Sequence, residues 1–253
     1  MRVIGVIEAR MGSSRRPGKV LADVVGQPLL YLIIERLRRS RRIDEIVIAT
    51  SVEEQDLAIE QWANKWQVPC YRGSEEDVRL RVLEAVRSVG GELIVQIGAD
   101  QPFPDWELND QLVDIYLKGG YDFVSNALEL SYPLGIVAQV YSEETLAECE
   151  LLTRGEKGRD GTSDYIWQHP ERYRLFNVVA PPDLTAPDVR LTVDYPEDLE
   201  LVRLIYDKLY HNNSAFTLAD ILAQFKTNPD WQQINGHITH NNRIEWPAFE
   251  KGN

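Results

Sequence analysis

The apolar run Val3-Ile4-Gly5-Val6-Ile7 leaves an extended chain no side for water. A strand of this kind belongs inside a parallel sheet covered by helices on both faces. The signature returns at EIVIAT (45–50) and ELIVQIG (92–98), with a shorter run at VPCY (68–71). Between these runs lie segments of helical period. Pro28 opens one, with Leu29, Leu30, Ile33, Ile34 and Leu37 on its apolar face, and others cover about 53–66 and 75–88. Asp105 reads as the N-cap of a helix bearing Leu108, Leu112, Ile115 and Tyr116. Strands alternating with helices predict an open α/β fold with a mainly parallel central sheet.

The middle of the chain changes character. DFVSN (122–126), GIVAQVY (135–141) and YRLFNVVA (173–180) read as strands, with a helix over about 142–151 and a glycine-rich polar loop at 153–164. RLTVD (190–194) reads as a strand ending on an acid, ahead of a helix started by Pro196. One more helix and an asparagine-rich end follow residue 215. The expected organisation is one domain over 1–214, with about 127–180 a small inserted α/β subregion, and a C-terminal helical tail over 215–253.

The net charge of -13 argues against nucleic acid, which attracts basic domains. No run approaches the roughly 20 apolar residues of a membrane span. The opening segment reaches Glu8 and Arg10 too soon for a signal peptide, and two cysteines without CxxC spacing suggest neither a disulfide framework nor a zinc site. These features predict a cytoplasmic protein with reduced thiols. Its cations are clustered. Arg36, Arg38, Arg39, Arg41 and Arg42 end the first helix, where a solvated terminus complementing the dipole is the plain expectation.

The other cluster lies where ligands bind in such folds, at the carboxyl ends of the strands. ARMGSSRRPGK (9–19) combines Gly12 and Gly18 with Arg10, Arg15, Arg16 and Lys19. Backbone amides and guanidinium forks are what a triphosphate needs, although neither a Walker loop nor a dinucleotide fingerprint is present. Asp100 follows the fourth strand in GADQP, and Asp194 ends RLTVD. Each acid alone could be a turn former or a helix cap. Together with the cationic loop they suggest a Mg2+–triphosphate site.

The loop resembles that of the CMP-sugar synthetases, which opens ARxxSxRxPGK. It is most similar to the spore-coat polysaccharide cytidylyltransferase branch, as are RGSEEDV (72–78), GADQP and RLTVDYPEDLELVR (190–203). The resemblance covers about 1–210 in consistent order. It implies a GT-A-like Rossmann nucleotidyltransferase that uses CTP and Mg2+ to convert a sugar or sugar acid into its CMP derivative with loss of pyrophosphate, usually as a homodimer built through the middle subregion. By the same resemblance Ala9 and Arg10 would hold the cytidine side. Gly12 and Ser13 would form the phosphate turn, Gly98 would lie beside the nucleotide, Arg15 and Lys19 would grip the triphosphate, and Asp100 and Asp194 would hold Mg2+. Catalytic charge stabilisation would fall to Lys19, Arg15 and Asp100.

Several acceptor-side positions depart from the branch. An arginine is missing from the stretch Gln96–Asp100, three acids are lost at Leu134, Val137 and Gln139, and a histidine is lost in 159–164. Arg81 and Arg159 remain as candidate partners for an acceptor carboxylate, since arginine binds carboxylates bidentately. A GT-A glycosyltransferase is the competing enzyme reading, though no DxD stands at Asp100-Gln101-Pro102. A catalytically silent nucleotide binder is the reading outside enzymes.

Overall fold

The computed structural model describes residues 1–13, 15–155, 161–238 and 249–252. Its framework is an eight-stranded sheet in the order β10 (Glu250–Gly252), β9 (Leu175–Val178), β7 (Phe123–Ser125), β8 (Gln139–Ser142), β6 (Leu93–Gly98), β1 (Val3–Glu8), β4 (Glu45–Ser51) and β5 (Cys70–Gly73). The apolar runs supply the centre: β1 (Val3–Glu8), β4 (Glu45–Ser51), β5 (Cys70–Gly73) and β6 (Leu93–Gly98). β1 lies parallel between β4 and β6, and β4 is parallel to β5. Alternate residues of β1 face opposite ways, as strand geometry requires. Val3 and Ile7 join the core under α1 (Leu29–Leu37), α2 (Leu57–Trp66), α4 (Trp106–Lys118) and α7 (Pro196–Leu209). Ile4 and Val6 face a second core under α3 (Val78–Ser88), α5 (Glu143–Leu152) and α6 (Asp164–Gln168). Helices thus cover both faces, which is why these strands carry no polar side.

The middle strands β7 (Phe123–Ser125), β8 (Gln139–Ser142) and β9 (Leu175–Val178) continue the same sheet. β8 runs antiparallel to both β6 and β7, whereas β9 is parallel to β7.

Four local expectations are corrected. RLTVD forms no strand: Leu191 N donates to Leu134 O at 2.7 Å and Val193 N to Asp100 O at 2.8 Å, so its backbone is satisfied by two different segments instead of one ladder. GIVAQVY is strand only from Gln139, because the Asn126 side chain takes over the ladder, donating to Ile136 O at 2.7 Å and accepting from Ala138 N at 2.9 Å. After residue 215 the described residues form two helices, α8 (Leu218–Thr227) and α9 (Trp231–Asn235), and a strand β10 (Glu250–Gly252) that pairs with β9. Arg36, finally, is buried rather than solvated. It donates to Pro104 O and Phe216 O, with its guanidinium 4.7 Å from the Phe216 ring centre, and so fastens α1 to the chain ahead of α4 and α8. The loop after β1 also contains a short hairpin, β2 (Asp23–Val24) with β3 (Gln27–Pro28), that the sequence did not announce.

Candidate functional site

β1 and β6 end side by side, and the chain beyond them opens a cleft of about 260 Å3. Ala9, Arg10, Ser13, Arg15, Lys19, Arg81, Gly98 and Asp100 all line it, which gathers most of the residues singled out from the sequence. The loop is closed on itself by Met11 O, which accepts from Ser13 N and Gly18 N, both at 2.9 Å. Gly18 adopts φ +74°, a conformation that glycine reaches without strain. A residue absent from the sequence reading anchors this loop: Asp56, buried after β4, accepts from Met11 N at 2.6 Å and from the Ser51 hydroxyl. An acid at a 3-10 turn carries no pattern that distinguishes it from an ordinary cap.

The structure brings the two acids together on one cation. Lys19 Nζ donates to Asp194 Oδ1 at 3.0 Å and to Val193 O at 2.6 Å, and lies 3.6 Å from Asp100 Oδ2. Arg15 Nη2 meets the same Asp194 oxygen at 2.7 Å, while its own side chain stays half exposed. Gly98 makes room for Asp100, because a Cβ there would lie 2.5 Å from Asp100 Oδ1. Gly12 similarly lets the loop pass Gln55, whose Nε2 would stand 2.9 Å from an added Cβ. Arg10 is half exposed and 3.8 Å from Glu75.

Asp194 is not the cap of α7. Tyr195 holds the N-cap position, and Asp198 in the first turn reaches back to it, its Oδ2 accepting from Asp194 N and Tyr195 N, both at 2.9 Å. Asp198 also pairs with Arg190 through both oxygens, at 2.8 and 2.9 Å, and Arg190 reaches Asp194 Oδ2 at 3.3 Å. Asn235 of α9 completes this network by donating to Asp198 Oδ1 at 2.9 Å and to Arg190 O at 3.1 Å. Burial alone would raise the Asp194 carboxyl, but Lys19, Arg15 and Arg190 outweigh it and hold it below the ordinary carboxylate range. The site therefore keeps a buried, ionised acid by surrounding it with cations.

On the α3 side, Arg81 is buried. It donates to the carbonyls of Ser74 and Glu75, and its Nε has no partner among the described residues. Neighbouring Arg79 is also buried and spends its donors on Thr162 O, Gly161 O and the Thr153 hydroxyl. Arg159 lies outside the described residues. Glu8, not singled out from sequence, also lines the cleft. Among the described residues no three His, Cys, Asp or Glu side chains gather as a metal cluster. No described helix is long and apolar enough to cross a membrane.

The chain is similar to known proteins over most of its length. Residues 4–157 match the family model described as Cytidylyltransferase. The chain is 33% identical to an uncharacterised protein of Methanocaldococcus jannaschii, covering 94% of this chain and 96% of that one. It is 32% identical to the spore coat polysaccharide biosynthesis protein SpsF of Bacillus subtilis, covering 90% of this chain and 95% of that one. A solved cytidylyltransferase from Leptospira borgpetersenii serovar Hardjo-bovis superposes with a TM-score of 0.85 at 27% identity, covering 96% of this chain and 100% of that one.

Proposed function

Because this chain belongs to the cytidylyltransferase family, we propose that it transfers CMP from CTP to a hydroxyl of a sugar or sugar acid, releasing pyrophosphate, in surface polysaccharide biosynthesis. The observation that carries this reading is the meeting of Lys19, Arg15, Asp100 and Asp194 at the end of the central strands. Cations that grip Asp194 in the free protein are the ones a triphosphate would draw away. Phosphate oxygens would take over Arg15 and Lys19, and the two carboxylates would be left for a cation of their own.

The donor set fits Mg2+. Asp100 and Asp194 already share one small cation, the Lys19 ammonium, and two carboxylates with phosphate oxygens and water make a hard octahedral site. When bound, Mg2+ supplies charge neutralisation on the phosphates. Arg15 and Lys19 stabilise the charge that builds on the α-phosphorus oxygens and on departing pyrophosphate, the dominant contribution in such reactions. Ala9 and Arg10 hold the cytidine side, Gly98 lies beside the nucleotide, and Gly12 and Ser13 shape the phosphate turn. Arg81, whose Nε has no partner among the described residues, lines the same cleft as a donor for the acceptor.

A homodimer built through the middle strands and a cytoplasmic location complete the proposal, the latter supported by two free thiols, Cys70 and Cys149. The test is a nucleotide panel read by thermal shift, with and without Mg2+. CTP with Mg2+ should give the largest rise, since ligand at about 100 times its Kd adds about 2.7 kcal/mol. Equal shifts from CTP, UTP, ATP and GTP would remove the cytidine assignment. Pyrophosphate release above a Lys19→Ala blank then separates a working enzyme from a silent binder.

A further inference from the structure

Two carboxylates line the cleft, Asp100 and Glu8. Asp100 stands 3.6 Å from the Lys19 ammonium, whereas no described cation lies within ion-pair distance of Glu8, although the charge of Arg81, which lines the same cleft, acts on it. Glu8 ends β1 on the face that carries α3, and it is fixed through one oxygen only. Its Oε1 accepts from Gln96 Nε2 at 2.6 Å and from the Thr162 hydroxyl at 3.0 Å. Gln96 is itself set by the Tyr141 hydroxyl, which donates to its Oε1 at 2.6 Å. The other oxygen, Oε2, receives no hydrogen bond from any described residue. Glu8 is only partly buried and lines the cleft, so this oxygen is the one left to accept from a donor on a bound molecule.

The direction of that donor follows from the sheet order. Arg10 and Gly12 meet Glu75 and Gln55, which follow β5 and β4 on one side of β1. The partners of Glu8 come from β6, β8 and Thr162, on the other side. Gln139 of β8 lies on the same side, where it accepts from the Ser163 hydroxyl. The side of the cleft away from the partners of Arg10 therefore carries a carboxylate supplied from β1.

Resting on the CMP-transfer reading, we propose that Glu8 Oε2 receives a hydroxyl or ammonium hydrogen of the acceptor. Glu8 thereby selects a neutral or amino sugar over one that presents a carboxylate at that point. Like charge excludes the acid, and a charge-assisted hydrogen bond holds the donor. Burial pushes the Glu8 carboxyl up, consistent with a site that gains when a donor arrives.

The experiment measures pyrophosphate release from CTP and Mg2+ over neutral hexoses, amino hexoses and 3-deoxy-manno-octulosonate, and thermal shift of the CMP-loaded protein with the same sugars. Glu8→Gln keeps an oxygen for Gln96 and Thr162, and its Tm shows that it folds. It should raise the KM for the preferred sugar at least about 10-fold, the worth of one hydrogen bond to a charged group. The KM for CTP should stay within about twofold, since a lost acceptor contact leaves nucleotide binding alone. Glu8→Gln should also improve use of the octulosonate. An unchanged acceptor KM, an effect on CTP instead, or a wild-type preference for the octulosonate would overturn the proposal. So would tight CTP binding with no response to any neutral or amino sugar. Failure to bind CTP at all would instead bring down the CMP-transfer reading.

Discussion

Replacing Asp194 by Asn tests the centre of the site, because it removes one charge from a nearly unchanged shape. The carboxylate is buried and meets Arg15 at 2.7 Å, Lys19 at 3.0 Å and Arg190 at 3.3 Å. Removing one partner of a buried ion pair costs about 3–5 kcal/mol when the other is stranded. Here the stranding is incomplete. Lys19 keeps Val193 O and Asp100, Arg190 keeps both oxygens of Asp198, and half-exposed Arg15 can turn to water. The cost should therefore fall to about 2–3 kcal/mol, below the full penalty for a stranded charge. At about 2–4 °C per kcal/mol for a chain of this size, Tm should drop by about 4–12 °C. Pyrophosphate release should fall at least ~100-fold, since metal and phosphate charge stabilisation is worth several kcal/mol. Differential scanning fluorimetry and a coupled pyrophosphate assay read the two effects separately. An Asp194→Asn protein with unaltered Tm and near-normal turnover would refute both the ion-pair account and the metal assignment.

Three further outcomes follow from the surroundings of that acid. Burial would raise the Asp198 carboxyl, but Arg190, two backbone amides and Asn235 outweigh it and hold it low. A folded pKa below the unfolded value, about 3.9, stabilises above that value and is lost as pH falls through the folded one. Asp198→Asn should therefore lower Tm at neutral pH and flatten its decline on acidification, and an unchanged acid limb would contradict this. Gly135 has φ +99° and an added Cβ would sit 2.5 Å from Thr192 N, so Gly135→Ala should cost more than about 2 kcal/mol by denaturant titration. Asn235→Ala removes two buried hydrogen bonds and should cost about 1–3 kcal/mol while also slowing turnover, whereas an effect on stability alone would detach α9 from the site.

The sequence made the framework visible where burial left no ambiguity. β1, β4 and β6 are apolar at nearly every position because both faces are covered, and the cationic loop stands out against an acidic chain. Pattern failed where burial and strand pairing part company. Leu191 and Val193 alternate with Thr192 as strand residues do, yet their amides go to Leu134 and Asp100. Gln139 begins a strand that Asn126 prevents Ile136 and Ala138 from joining. The acids Asp100 and Asp194 could be paired around a metal, but not with the Lys19 ammonium, since convergence across 175 residues is a property of the sheet. Asp56, Asp198 and Glu8 looked like any other acids. What distinguishes them is the set of donors around each, which only folding assembles.

The contact of Asn235 with Asp198 and Arg190 also bears on when the site matures during synthesis. The phosphate loop, Asp100 and Asp194 all leave the ribosome before α9, and the sheet from β1 to β9 can form around them. The brace on the network behind Asp194 arrives only with α9, 37 residues after Asp198. A product ending in α8 would carry Arg15, Lys19, Asp100 and Asp194 yet hold Asp194 less firmly. The hold on Asp194 is in this way set by a segment that contributes no side chain to the cleft itself.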